Sequence, residues 1–192
     1  MPDAFEILRS DHAAVEQMLA ALETSPGHSA GAGSTVVAAR KEVAQRLVID
    51  SSRHEAAEEE YFWPTVRARL ADGDTLADEA IAQEQEAKEA LARLDKLDAE
   101  QDEFDEVIAA LIPAVRRHIE FEETQVWPFL RDALGGAEAR ELGEKLAKAK
   151  EHGPTRPHPH TPANPGVLKA AGPAVAALDR LRDAAAGRGR IE

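Results

Sequence analysis

Two stretches of the chain place the same reactive residue types at the same spacing. HEAAEEEYFWPTVR runs from His54 to Arg67, and HIEFEETQVWPFLR runs from His118 to Arg131. Both keep a His, a Glu four residues later, Trp-Pro and Arg at matched offsets. Residues four apart on an α-helix lie about 40° apart around its axis. His54 and Glu58 therefore share one narrow stripe, which continues the apolar face of Val43 and Leu47. Tyr61, the only tyrosine, falls about 20° to the other side of His54 if the helix is regular. His118 and Glu122 repeat the arrangement beyond Leu111. His12 sits on an apolar stripe of its own, with Phe5, Leu8, Val15, Leu19 and Leu22.

Imidazoles and carboxylates aimed into an aliphatic core are costly unless something compensates them. A bound cation compensates them all at once. Imidazole with carboxylate and no thiolate suits iron, manganese or zinc. Two Glu on facing helices can each bridge two metals. His12, His54, His118, Glu58, Glu122 and a Tyr61 phenolate would still leave positions open on a pair of octahedral ions. Open positions let such a site bind a small ligand or do chemistry.

The positioning elements are helices. Asp3 is a plausible N-cap for the first, and 25–34 reads as a breaker-rich loop. A second helix is expected from about Thr35 to Leu70, followed by a turn at 71–74. Thr75, with Asp78 three residues on, reads as the cap of a third. Asp102 opens a fourth that runs to about Leu134, where Gly135-Gly136 stops it. Pro64, Pro113 and Pro128 lie inside helical patterns and should kink or loosen a turn. The expected fold is all-α, an antiparallel up-down four-helix bundle over residues 1–134. Residues 135–192 then form an additional C-terminal helix and a Pro/His-rich extended tail packed on the bundle. That part includes GPTRPHPHTPANPG (153–166) and a last short helix.

Composition fits a single helical domain of 192 residues, with 43% hydrophobic, 31% charged and only 4% aromatic residues. The net charge of −13 argues against nucleic acid and anionic membrane as partners. Cysteine is absent, which excludes disulfides, thiolate metal sites and cysteine nucleophiles. No signal-peptide pattern and no run of spanning length is present, so the expected location is cytoplasmic. Nothing in the sequence names a protein partner. No Gly-rich phosphate loop supports nucleotide chemistry.

His12, then His54-x3-Glu58, then His118-x3-Glu122, on the first, second and fourth helices, resembles the hemerythrin-like HHE cation-binding family. Trp-Pro after each pair is similar to the aromatic-Pro that commonly follows there. The resemblance covers roughly residues 3–134. It implies two iron ions in an oxo- or hydroxo-bridged centre, with dioxygen, peroxide or nitric oxide as ligand. The sequence departs from the family on the third helix, where Glu84-Gln85 stands in place of the usual Glu-His. Gln85 is a poor ligand and reads as a hydrogen-bonding neighbour. Glu89 lies about a turn further on and could reach the site. A Tyr61 phenolate could occupy the vacated position, stabilising ferric iron and favouring peroxide decomposition or stress defence over oxygen carriage. The competing reading is a non-catalytic oxygen, nitric oxide or iron sensor. A ferritin-like oxidase ranks low, because no His has a Glu three residues before it.

The remaining polar residues are expected to be ordinary. Glu55, Glu59, Glu60 and Glu123 read as solvated charges, and Trp63 and Trp127 as packing anchors. His152, His158 and His160 lack nearby acidic partners in the sequence. Their segment reads as a cover over the bundle rather than a metal site.

Overall fold

The computed structural model describes residues 2–161 and 165–186. Within them the chain is helical and contains no strand. The first rod of the bundle is α1 (Ala4–Thr24). The second is α2 (Ser34–Ala57), continued through a π turn (Glu58–Phe62) into α3 (Trp63–Arg69). The third is α4 (Gly73–Leu94). The fourth is α5 (Asp102–Phe121), continued through a second π turn (Glu122–Val126) into α6 (Trp127–Ala133). The rod α1 packs on α2 and α5, and α4 packs on α5, α2 and α3. The helix α7 (Gly136–His152) lies along α1 and α2, and α8 (Pro165–Ala186) lies against the first π turn.

Local chemistry explains most of the boundaries. Asp3 accepts from the Glu6 N–H at 2.9 Å and Glu6 accepts from the Asp3 N–H at 2.8 Å, a reciprocal capping box. The expected Thr75 cap is not formed. The helix starts two residues earlier, and Asp78 is drawn to Arg67, which also holds Asp74. The α3–α4 turn needs glycine at 73, because a Cβ there would stand 2.3 Å from the Val66 carbonyl oxygen.

The expected continuous second and fourth helices are each interrupted by a π turn. In each, the indole-bearing residue's N–H bonds the carbonyl five residues back, Trp63 to Glu58 and Trp127 to Glu122. The next residue, Pro64 or Pro128, has no N–H to give. A single widened turn absorbs the missing donor without breaking the rod. Pro113 is exposed within α5, which runs through it. The last helix is longer than the short one expected and contains Pro173.

Buried apolar residues form two clusters. Val15, Leu19, Leu47, Leu91, Phe104 and Leu111 belong to one. Phe5, Trp63, Ala80, Trp127, Leu130 and Leu146 belong to the other, to which α7 contributes. Each rod passes from one cluster to the other, and at the crossing it carries polar residues. These are His12 on α1, His54 and Glu58 on the second rod, Glu84 on α4, and His118 and Glu122 on the fourth. A polar layer is thus enclosed between two apolar ones.

Candidate metal centre

The six side chains of that layer converge. His12, His54, Glu58 and Glu122 each offer a donor atom within 4.8 Å of the others, and so do Glu58, Glu84, His118 and Glu122. All six residues are buried, and Glu58, Glu84 and Glu122 have no exposed surface. Glu58 and Glu122 belong to both groups, so each can serve two neighbouring positions. His12 Nε2 lies 3.0 Å from Glu122 Oε2, His54 Nε2 lies 3.1 Å from Glu58 Oε2, and His118 Nε2 lies 3.4 Å from Glu122 Oε1.

The far nitrogen of each ring is held by a partner. His12 Nδ1 is 2.9 Å from Glu123, His54 Nδ1 is 3.2 Å from Asp11, and His118 Nδ1 is 3.3 Å from the Gln83 carbonyl oxygen. Acceptors at those positions orient each ring with Nε2 directed inward. Burial opposes charge on His54, but the Glu58 and Asp11 carboxylates outweigh it and raise that imidazole well above its usual value, so it must give up a proton to bind a metal. Stacking on Trp127, with centroids 5.0 Å apart, further fixes the His12 ring. Lys150 braces Asp11 from α7.

The donor set fits a cation. His12 Nε2, His118 Nε2, Glu84 Oε2 and both oxygens of Glu58 and Glu122 have no hydrogen-bond partner among the described residues. Buried polar atoms without partners are rare and costly. Seven of them pointing at one layer is what a set of ligand lone pairs looks like. Their electrostatics agree. Burial, the largest cause, pushes the Glu58 and Glu122 carboxyls up to about 7, and Glu122 adds to the rise of Glu58. Burial likewise raises Glu84 well above its usual value. Burial also lowers His118 to about 3, keeping it neutral as a ligand must be.

Five of the six residues expected to bind metal are in this layer. The exception is Tyr61. It is only half-buried, beside the C-terminal segment, and its hydroxyl bonds the Glu60 carboxylate. That bond is the main cause of its raised pKa and favours the neutral phenol over a phenolate. The physical reason is the π turn. A widened turn between Glu58 and Phe62 rotates Tyr61 off the stripe that a regular helix would give it. Gln125 at the matching position is exposed.

Glu84, not Gln85 or Glu89, is what α4 brings to the layer. Its Oε1 accepts from the Trp63 indole N–H at 2.5 Å, and its Oε2 lies 3.8 Å from Lys88. Gln85 faces the other way, donating to Glu89 at 3.1 Å and to the Pro159 carbonyl at 2.9 Å. Glu84 could have been found from the buried stripe Ala77, Ala80, Glu84, Ala87, Leu91, on which it is the lone acid.

Three acids expected to be solvated charges are not, although Glu123 stays partly exposed. Glu123 holds His12. Glu59 is buried and paired with Lys88. Glu55 is buried, and burial raises its carboxyl to about 8. In the C-terminal segment His158 is 2.8 Å from the buried Asp179, and α8 contacts the first π turn.

A helical bundle enclosing a polar layer of three histidines and three glutamates defines a cation-binding hemerythrin fold. Residues 3–130 match the hemerythrin HHE cation binding domain, and the chain belongs to that family. An uncharacterized hemerythrin-like protein of Schizosaccharomyces pombe is 29% identical over 139 residues, covering 72% of this chain and 68% of the relative. The crystal structure of a hemerythrin HHE cation binding domain-containing protein from Mycobacterium kansasii is similar with TM-score 0.64 and 20% identity. The match covers 79% of this chain and 86% of that one. No helix among the described residues is long and apolar enough to cross a membrane.

Proposed function

We propose that the buried layer holds two iron ions and that the protein decomposes peroxide or related oxygen and nitrogen species. The observation that carries this reading is the pair of four-donor groups sharing Glu58 and Glu122. Two shared carboxylates suit two adjacent ions. His12 and His54 would complete one position, and His118 and Glu84 the other. An iron pair of this kind supplies oxidation-state changes and vacant positions for dioxygen, peroxide or nitric oxide. Asp11, Gln83 and Glu123 would keep the imidazoles aligned, and the apolar clusters on either side would keep bulk water away.

Glu84 favours redox chemistry over reversible oxygen carriage. With Gln85 in place of the usual histidine and turned away, α4 supplies the Glu84 carboxylate instead, a hard anionic donor that favours the ferric state. In this reading residues 1–134 do the chemistry, while 135–192 cover the bundle, in a cytoplasmic protein. The test is reconstitution with ferrous iron under exclusion of air. Two irons per chain and steady hydrogen peroxide consumption are expected. Failure to bind stoichiometric iron would overturn the site, and tight reversible ligand binding without turnover would make the protein a sensor.

A further inference from the structure

A cavity of about 250 Å³ lies beneath the C-terminal segment, beside the metal layer but outside it. An apolar cavity of roughly 150 Å³ accommodates benzene, so this space is far larger than a peroxide or a diatomic gas requires. Its apolar wall is made by Ala56, Ala149, Pro154, Pro157, Pro173 and Val175. The segment that roofs it is fastened in place. Arg156 pairs with Asp95 at 2.9 Å and Asp183 at 2.8 Å, and Thr155 also bonds Asp183. Gln85 ties the Pro159 carbonyl to α4.

Several charged groups of the wall are already matched, Lys88 by Glu59, Arg156 by its two aspartates and His158 by Asp179. An ionic ligand at any of these three groups would have to break a pair. Glu55, whose Oε2 lacks a hydrogen-bond partner, lines the cavity and is available as an acceptor. Lys88 is one side chain thick between the cavity and the layer: it lines the former and lies 3.8 Å from Glu84 Oε2.

We propose that this cavity binds a neutral, one-ring, hydroxyl-bearing organic molecule, a phenol, as the reducing co-substrate of the metal centre. The ring packs on the proline and alanine wall, and the hydroxyl donates toward Glu55. The inference rests on the peroxide reading of the site. Its balance is one hydrogen peroxide and two phenols giving two waters and two phenoxyl radicals. The O–O bond breaks, and each phenol gives up one electron and its hydroxyl proton. The co-substrate need not touch iron, because Lys88 and Glu84 separate the two by a short, packed distance.

Binding is measured by calorimetry with 4-methylphenol on both the metal-free and the iron-loaded protein, which separates this proposal from the iron reading. Binding to both forms is expected, with benzoate, the same ring carrying a charge, at least tenfold weaker. Ala149→Phe on α7 and Val175→Trp on α8 each place a large side chain on the cavity wall. Each should weaken 4-methylphenol binding at least tenfold and lower kcat/KM for the phenol by a similar factor. Iron content and peroxide consumption without phenol should stay at wild-type values. No binding by the wild-type protein, tighter binding of benzoate, or binding unaffected by both substitutions would each overturn the proposal. If iron fails to load while 4-methylphenol still binds with the stated selectivity, the cavity stands as a site and its redox role falls.

Discussion

Glu84→Gln is the substitution that most directly tests how the layer works. Glu84 belongs only to the group with Glu58, His118 and Glu122, whereas Glu58 and Glu122 serve both. In the metal-free protein burial raises the Glu84 carboxyl well above its usual value, which favours the neutral form. Glutamine is nearly isosteric with that state and can still accept from the Trp63 indole. Metal-free stability should therefore change by less than about 1 kcal/mol. In the loaded protein an anionic donor is lost from one position only, so the metal content should fall from two ions per chain to one. An ion supplied at about 100 times its Kd stabilises the folded state by about 2.7 kcal/mol. Losing it should lower the melting temperature of the loaded protein by roughly 5–11 °C for a chain of this size. Elemental analysis and paired thermal melts of the metal-free and loaded forms measure both effects. Two ions per chain with an unchanged melt would refute the role of Glu84. Tyr61→Phe is the matched control, since its phenol lies away from the layer, and metal content and visible spectrum should not change.

Metal uptake should strengthen as pH rises through about 7, because Glu58 and Glu122, both raised to about 7, must lose protons to bind. Both folded values exceed the ordinary glutamate value of 4.5. Their contribution to metal-free stability is therefore present at acid pH and lost as pH rises through about 7, so melts of the metal-free protein should show that fall and melts of the loaded protein should not. Equal affinities at pH 6 and pH 8 would contradict this. Asp11→Ala and Glu123→Ala free the Nδ1 side of His54 and His12, and each should weaken metal binding about 10- to 100-fold in competition with a chelator. Arg40→Met, at the far end of the bundle, removes bonds to the Leu22 and Ser25 carbonyls and the ion pair with Asp105. It should cost about 3 kcal/mol in denaturant melts while leaving metal uptake unchanged.

The bundle was legible because its signals are periodic. The stripe from Phe5 to Leu22 and the Asp3 cap are set by residues close in sequence, and they appear as read. The two His-x3-Glu pairs were legible because the chain states them twice. Tyr61 was misplaced for a reason the sequence half disclosed. Pro64 announced a missing donor, but not that the ladder would respond by widening one turn, and that choice rotates everything between Glu58 and Trp63. Glu123 and Glu59 were misread because their partners, His12 and Lys88, come from other rods. A charge beside a ligand in sequence reads as solvated until tertiary packing supplies its counterpart.

The repeat makes the two halves of the layer alike only in the residues it contains. What surrounds them differs, and the difference has chemical consequences. One group gains a second imidazole, His12, from a helix with no counterpart in the repeat; the other gains a carboxylate, Glu84, with the Lys88 ammonium 3.8 Å away. The His54 ring is oriented by an aspartate and the His118 ring by an amide, so the second imidazole is the weaker base of the two. The Glu84 position is therefore the harder and more anionic, and it faces the side where Lys88, Glu59 and Glu55 lead to the cavity. An asymmetric pair of positions, one rich in nitrogen and one in oxygen, is better suited to drawing electrons from one side than to holding a ligand reversibly between two equals. That asymmetry comes from α1 and α4, the rods the repeat does not include.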